Sequence, residues 1–224
     1  MKDLIILGAG ENGQMVIDIV DSINETTKKI NIIGFLDDDQ EKQGKEFLGV
    51  PVIGKISDYK SFKNCFFTSP LISSPKTNII KYKVAKKLNI DPENYLNIIH
   101  PRIKIKYLSL GIANLITENC VIFQNTKIGS HCYLSSNVLI GPECSLEDFV
   151  NISNSASIQG KTTIKEGAYI GANATIIGNS VIDKWSIVGM GSVVLKNVNA
   201  FDVVAGNPAR KISENQLATS YFNK

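Results

Sequence analysis

An aliphatic residue occurs at every sixth position from Leu110 to Val194 without a break. The series is Leu110, Ile116, Ile122, Ile128, Leu134, Ile140, Leu146, Ile152, Ile158, Ile164, Ile170, Ile176, Ile182, Val188 and Val194. Helices repeat near 3.6 residues and strands at 2, so neither demands identity at every sixth position. A coil of short strands does, and a six-residue period marks a parallel β-helix. With three hexapeptides to a coil, these 15 aliphatics make five coils of 18 residues. Residues one coil apart should stack about 4.8 Å apart. Burying each aliphatic contributes about 1.5–3 kcal/mol, which makes the prism the expected stability core.

Two other registers fit the same coil. Four residues after each aliphatic stand Cys120, Thr126, Cys132, Val138, Cys144 and further small or β-branched residues, with Asn114 the exception. These suit a chain turning inward beside a bulky stack. Three residues after the aliphatic, nine of the 15 positions are Asn, Gly or His, the types that tolerate positive φ. That register is read as a left-handed corner. Cys120, Cys132 and Cys144 lie twelve residues apart, two-thirds of a coil, so each falls on a different face. Neither a disulfide nor a zinc cluster is expected of them, and no metal site is assigned.

The formal charge of +3 is too mild to argue for nucleic acid as a partner. Five lysines between Lys76 and Lys87 read as the solvated face of an amphipathic helix. No apolar run approaches the roughly 18 residues of a membrane span. Met1 leads directly into a strand without a signal-peptide n-region, and the expected location is the cytoplasm.

The first hundred residues follow different rules. Asp3–Leu7 reads as a buried strand, followed by Gly8-Ala9-Gly10-Glu11-Asn12-Gly13 and a helix from about Gln14 to Asn24. Ile30–Leu36 is a second strand ending at Asp37-Asp38-Asp39, with further strands at Pro51–Ile53 and Cys65–Thr68 and a helix over Thr77–Leu88. Alternating strands and helices indicate a parallel α/β sheet, here a Rossmann-like domain over residues 1–100. Residues 101–224 then form the β-helix and a C-terminal cap. The glycine loop offers amides and a helix N-terminus to an anionic ligand, and acidic residues after the second strand suit a ribose or base edge. His100, just before Pro101, is read as fixing the junction between the two parts.

Domain order, GFLDDD at Gly34–Asp39, GVPVIG, IIHP and the closing VVAGNPARKI resemble the sialic acid O-acetyltransferase and bacillosamine-type sugar N-acetyltransferase family. The resemblance spans nearly the whole chain. It implies a left-handed β-helix, a homotrimer, and acetyl transfer from acetyl-CoA to a nucleotide-linked amino sugar in surface glycan biosynthesis. It places the sugar nucleotide on Gly8, Gly10, Glu11, Asn12, Gly13, Asp37 and Asp38. It places the acyl-CoA along the coil between neighbouring protomers, at Asn151, Gly160, Ala172, Gly178, Gly191 and Asn207. Gly160 is one coil beyond Pro142, and a glycine there lets backbone amides approach a thioester oxygen.

One departure stands out. The family's His–acid–Cys run, with histidine as general base, matches Pro142-Glu143-Cys144, and proline cannot accept a proton. Other family histidines match Asn151 and Asn12. The chain has only His100 and His131. The remaining catalytic candidates are Glu143, His131 and Tyr133, the last directly beneath Asn151 in the stack. A positioned base contributes about 10²–10⁴-fold, whereas holding two reactants together reaches effective molarities of about 10⁵–10⁸ M. N-acetylation is therefore favoured over O-acetylation, because an amine is partly neutral near pH 7 and a hydroxyl needs the base far more.

Three alternatives stand beside the transferase. One is a binding or scaffold trimer that has lost its base. A β-helix carbonic anhydrase needs three zinc-binding histidines and fails on the count of two. An NAD dehydrogenase rests on the glycine loop alone and lacks a separate substrate domain.

Overall fold

The computed structural model describes residues 1–27, 29–71, 74–104 and 107–222. The N-terminal part comprises β1 (Lys2–Leu7), α1 (Glu11–Thr27), β2 (Ile30–Leu36), β3 (Glu46–Phe47), β4 (Val50–Gly54), β5 (Phe66–Thr68) and α2 (Pro75–Leu88). Its sheet runs β3-β4-β2-β1-β5, parallel except for the β3–β4 hairpin. Helix α1 begins three residues before the expected Gln14, because the Gln14 amide already donates to the Gly10 carbonyl at 3.0 Å. The second half of the glycine loop is thus the first helical turn.

Helix α2 corrects the reading of the lysine-rich segment. Lys76, Lys83, Lys86 and Lys87 are exposed, but Lys81 is completely buried. It faces the β-helix and donates from Nζ to the His131 carbonyl at 2.8 Å.

The second part is a left-handed parallel β-helix. Strand β6 (Ile98–Ile99) pairs with Leu115–Ile116 and ties the junction to the first coil. The His100 backbone amide continues that pairing onto the Ile116 carbonyl at 2.9 Å. Each hexapeptide supplies one two-residue strand ending on its aliphatic, and strands one coil apart pair in register: Tyr133 with Asn151, Ile140 with Ile158. The aliphatics from Ile128 onward and Ile116 are buried, while Leu110 and Ile122 in the outermost coil are only partly covered. Cys120, Cys132 and Cys144 are buried as free thiols in the small inward register. Asn114 fits that register because both ends of its side-chain amide are hydrogen-bonded, the oxygen accepting from the Cys132 amide at 2.8 Å and the nitrogen donating to the Gly129 carbonyl at 2.9 Å.

The corner register takes positive φ at every position from Ala113 to Gly191, bulky Phe149 (+60°) and Trp185 (+55°) included; only Asn197 departs. Stacking every third corner divides the register into three columns. Ala113, His131, Phe149, Gly167 and Trp185 form one, Asn119, Asn137, Ser155, Asn173 and Gly191 the second, and Asn125, Glu143, Lys161, Asn179 and Asn197 the third.

The first column is roofed by α2 and by α3 (Gln216–Phe222). Asn78 on α2 donates to the Phe149 and Gly167 carbonyls, each at 3.0 Å, so Asn78 and Lys81 together cap three successive corner carbonyls. Tyr82 packs edge-on against Phe149 and Trp185, with ring centroids 5.0 and 5.3 Å away. At the far end, an antiparallel hairpin of Asp202–Gly206 and Ala209–Glu214 extends the sheet that contains Ile187–Val188. Among the described residues no helix is long and apolar enough to cross a membrane.

Candidate functional site

The loop between β1 and α1 is shaped by two glycines. A Cβ at Gly13 would lie 2.1 Å from the Gly8 carbonyl oxygen, so only glycine lets α1 approach β1 this closely. Gly8 has φ +106° and Leu71 pressed against it, where a Cβ would meet Cδ2 at 2.6 Å. The first-turn amides of α1 are thereby turned toward open space, where an anion finds unpaired donors and the positive end of the helix dipole.

That space is a cleft of about 370 Å³ lined by Gly8, Gly10, Glu11, Asn12, Gly13, Asp37 and Lys42, with Pro70, Leu71, Thr77 and Ile80 opposite. Asp37 braces it: Oδ2 accepts from the Ala9 amide at 2.7 Å and from Lys42 Nζ at 3.1 Å, and Oδ1 from the Asp39 amide at 2.9 Å. Burial pushes the Asp37 carboxyl up, but the Asp39 and Ala9 amides and the Lys42 ammonium outweigh it and hold it below its ordinary range. Asp38 turns away, accepting from the Ile56 amide at 3.0 Å, and does not line the cleft. Of the seven expected nucleotide-binding residues, six come together there and Asp38 is structural.

A second cleft of about 290 Å³ lies where α1 meets the β-helix. Glu11 and Asn12 line it as well, facing Tyr133, Ser135, Asn151, Ser153, Asn154, Tyr169, Ala172 and Met190. The rows are stacks of the coil: Tyr133, Asn151 and Tyr169 pair in register, and Asn154, Ala172 and Met190 stand at the same place in successive coils. The Tyr133 hydroxyl lies 3.3 Å from Ser135 Oγ, which donates to Asn154 Oδ1 at 3.0 Å; Ser153 Oγ donates to the Tyr169 hydroxyl at 2.9 Å. Burial raises the Tyr133 phenol, so it is a hydrogen-bond donor at neutral pH and not a base. Asn151 is 1 % exposed and its Oδ1 has no hydrogen-bond partner.

The other expected residues separate. His131 sits in the roofed column, its ring stacked on Phe149 at 4.7 Å and edge-on to Tyr95 at 5.0 Å. Burial, then the Lys81 and Lys86 ammonium groups, push its imidazole down to about 3. It lines neither cleft, which removes it from the catalytic candidates; the roof over its corner leaves no room for substrate.

Glu143 is exposed on the third column beside Pro142, away from both clefts of its own chain. Gly160 stacks on Pro142, where a Cβ would meet the Pro142 carbonyl oxygen at 3.1 Å, and Gly178 stacks on Gly160. These small residues make a tight edge, and a larger side chain at Gly160 would press on the fold itself. Of the six expected acyl-CoA contacts, Asn151 and Ala172 line the second cleft. Gly191 follows Met190 at its rim, Gly160 and Gly178 belong to the Pro142 edge, and Asn207 lies in the exposed turn of the terminal hairpin.

Sequence reasoning missed Ser135, Ser153, Asn154, Tyr169 and Met190. The signal for Tyr169 was present: it stands one coil after Asn151, as Asn151 stands one coil after Tyr133. Ser153 likewise stands one coil after Ser135.

Residues 3–69 match the family model of the PglD N-terminal domain, and residues 116–224 match that of the GMPPB C-terminal domain. No curated protein sequence matches the chain significantly. Among solved structures, the acetyltransferase domain of PglB from Neisseria gonorrhoeae is 23% identical over 95% of this chain and 100% of its own, with a TM-score of 0.81. A variant of perosamine N-acetyltransferase from Caulobacter crescentus, in complex with CoA and GDP-perosamine, is 20% identical over 96% of this chain and 98% of its own, also at 0.81. WeeI from Acinetobacter baumannii is 25% identical over 95% and 100%, with a TM-score of 0.77.

Proposed function

We propose that the chain, which carries a PglD-type N-terminal domain and the fold of sugar N-acetyltransferases along nearly its whole length, is a bacillosamine-type sugar acetyltransferase and transfers the acetyl group of acetyl-CoA to the amino group of a nucleotide-linked sugar. One observation carries this reading: Glu11 and Asn12 line both clefts. A nucleotide whose phosphates rest on the first turn of α1 therefore projects its sugar across Asn12 onto the polar face of the β-helix. The crystal structure of the perosamine N-acetyltransferase, which shares this fold, holds a ligand pair of the required kind, CoA and GDP-perosamine.

In the reaction the amine nitrogen attacks the thioester carbonyl carbon, the carbon–sulfur bond breaks, and the proton lost by nitrogen leaves on the thiol of CoA. The site supplies position and hydrogen bonds. The Pro142–Gly160–Gly178 edge and Glu143 point away from the clefts of their own chain, so they reach an acceptor only from a neighbouring copy. A homotrimer with three composite sites is the assembly that uses them.

Pro142 favours a second reading, in which the trimer binds both ligands without turnover. Release of the CoA thiol decides between them. The transferase releases thiol only when an amino-sugar nucleotide accompanies acetyl-CoA; a binding trimer shows heat on mixing in a calorimeter and no thiol.

A further inference from the structure

Helix α2 serves two structures at once. Thr77 and Ile80 form part of the wall of the first cleft, opposite the glycine loop. Asn78 and Lys81 stand one place further along, about 100° round the helix axis, and are buried against the roofed column. The hold there is largely polar: of the four buried residues of α2 only Ile79 and Leu88 are apolar, and Leu88 closes the helix. Lys81 makes that hold conditional on charge. It is completely buried, it donates to the uncharged His131 carbonyl, and among the described residues it forms no ion pair. Around it stand the His131 imidazole and Cys132 thiol of the coil, the Tyr95 phenol against the His131 ring, and the Lys86 ammonium of α2 itself. Burial keeps the imidazole, thiol and phenol uncharged. The Asp148 carboxylate is turned to the Ser130 amide at 2.7 Å, Glu166 acts on Lys86 and Lys184, and α3 brings only the Tyr221 phenol, which lies under Lys83.

We propose that α2 is a strap across the first cleft, docked while Lys81 is uncharged and released when it is protonated, so that the neutral amine and a nucleotide in the cleft each hold the strap down for the other. The inference rests on the reading of the first cleft as the nucleotide site. A protonated Lys81 recovers its hydration when α2 lifts from the coil, whereas a neutral amine gains little by lifting. Burial draws the ammonium down to about 7 in the docked helix, against 10.5 for the ordinary side chain. Between those values the docked state holds fewer protons than the lifted one, so each pH unit lowers the lifted population by up to about tenfold. Below 7 both states are protonated and the balance no longer changes. Lifting withdraws Thr77 and Ile80 and leaves the cleft open on that side. A nucleotide that touches them binds the docked state better, and by linkage it opposes protonation of Lys81. The protein thus grips its nucleotide less firmly as the pH falls toward 7.

The test is amide hydrogen exchange of the full-length protein at pH 7 and pH 9, alone and with saturating GDP, UDP or dTDP, with binding followed by calorimetry. At pH 7 the α2 amides should be less protected than those of Ile158 and Ile176, because the strap lifts without unfolding the coil. In wild type their protection factors should rise at least about tenfold from pH 7 to pH 9, and in Lys81→Met they should change by less than about twofold. The wild-type comparison stands by itself and does not depend on the variant folding. A bound nucleotide should raise α2 protection at pH 7 by about tenfold or more. Equal α2 protection at the two pH values in wild type, or a pH response that survives in Lys81→Met, overturns the inference. So does a nucleotide that binds in the calorimeter and leaves α2 protection within about twofold. Binding of none of the three overturns the nucleotide reading of the cleft and the coupling with it, which sets that failure apart from the failure of the strap alone.

Discussion

Two corner columns of the same prism, built by the same repeat with the same positive φ, have opposite fates. Ala113, His131, Phe149, Gly167 and Trp185 lie under α2 and α3, and their carbonyls are capped by Asn78 and Lys81. Asn119, Asn137, Ser155, Asn173 and Gly191 have no helical roof, and the residues before the last three, Asn154, Ala172 and Met190, line the cleft beside Asn12. The repeat decides where a residue sits; what packs on the corner decides whether it reaches a ligand. His131 carries the more reactive side chain of the two columns and is the one put out of reach.

The contrast is broken most directly through stability. Trp185→Ala removes a side chain that is 2 % exposed from the roofed column and should cost about 3–5 kcal/mol in chemical denaturation. Asn173→Gly, at φ +57° on the open column, suits the same backbone and should shift stability by no more than about 0.5 kcal/mol. Equal costs at the two positions would erase the distinction.

The third column offers a sharper chemical test. Pro142→His should raise acetyl transfer by about 10²-fold, because a base supplied from a neighbouring copy would relieve the need for a neutral amine. The low-pH limb of kcat/KM should move toward the imidazole's own pKa at the same time. An unchanged rate and profile would show that this edge does not reach the acceptor.

A dependence on pH follows from Lys81. Burial pulls its ammonium down to about 7 in the folded protein, against 10.5 for the ordinary side chain. Between those values the unfolded chain holds a proton that the folded one does not, so stability should rise with pH at up to about 1.4 kcal/mol per unit, and be flat below 7 as far as Lys81 is concerned. Lys81→Met removes that slope. The difference in denaturation midpoint between wild type and Lys81→Met, measured at pH 6, 8 and 10, should be constant up to about pH 7 and change above it. A difference independent of pH would place Lys81 in solvent.

The β-helix was legible almost residue by residue, because a six-residue period fixes register, inward stack and corner together. The N-terminal sheet was legible in its order of strands and helices. Only the boundaries moved, as where the glycine loop turned out to contain the first turn of α1. The roof was not legible, for a physical reason. Lys81 sits in a run of exposed lysines, and nothing local shows that one of them caps a carbonyl 50 residues away. Half of that information was still present. Taken together, the 15 corners look like Asn and Gly; taken by column, the roofed one holds His131, Phe149 and Trp185, and aromatic corners need a cover. Asp38 failed differently, since adjacent carboxylates on a strand end point to opposite sides, one into the cleft and one to the Ile56 amide.

The most direct test of the contrast sets one variant under the roof beside one in the open cleft, in the presence of acetyl-CoA and an amino-sugar nucleotide that wild type accepts. His131→Ala should lose the stacking on Phe149, lower the melting temperature and leave kcat/KM for the acceptor unchanged. Asn12→Ala, at the seam of the two clefts, should keep the melting temperature and lose about tenfold in kcat/KM. The reverse pattern, with His131→Ala inactive at full stability and Asn12→Ala active, would contradict the assignment of function to the open cleft.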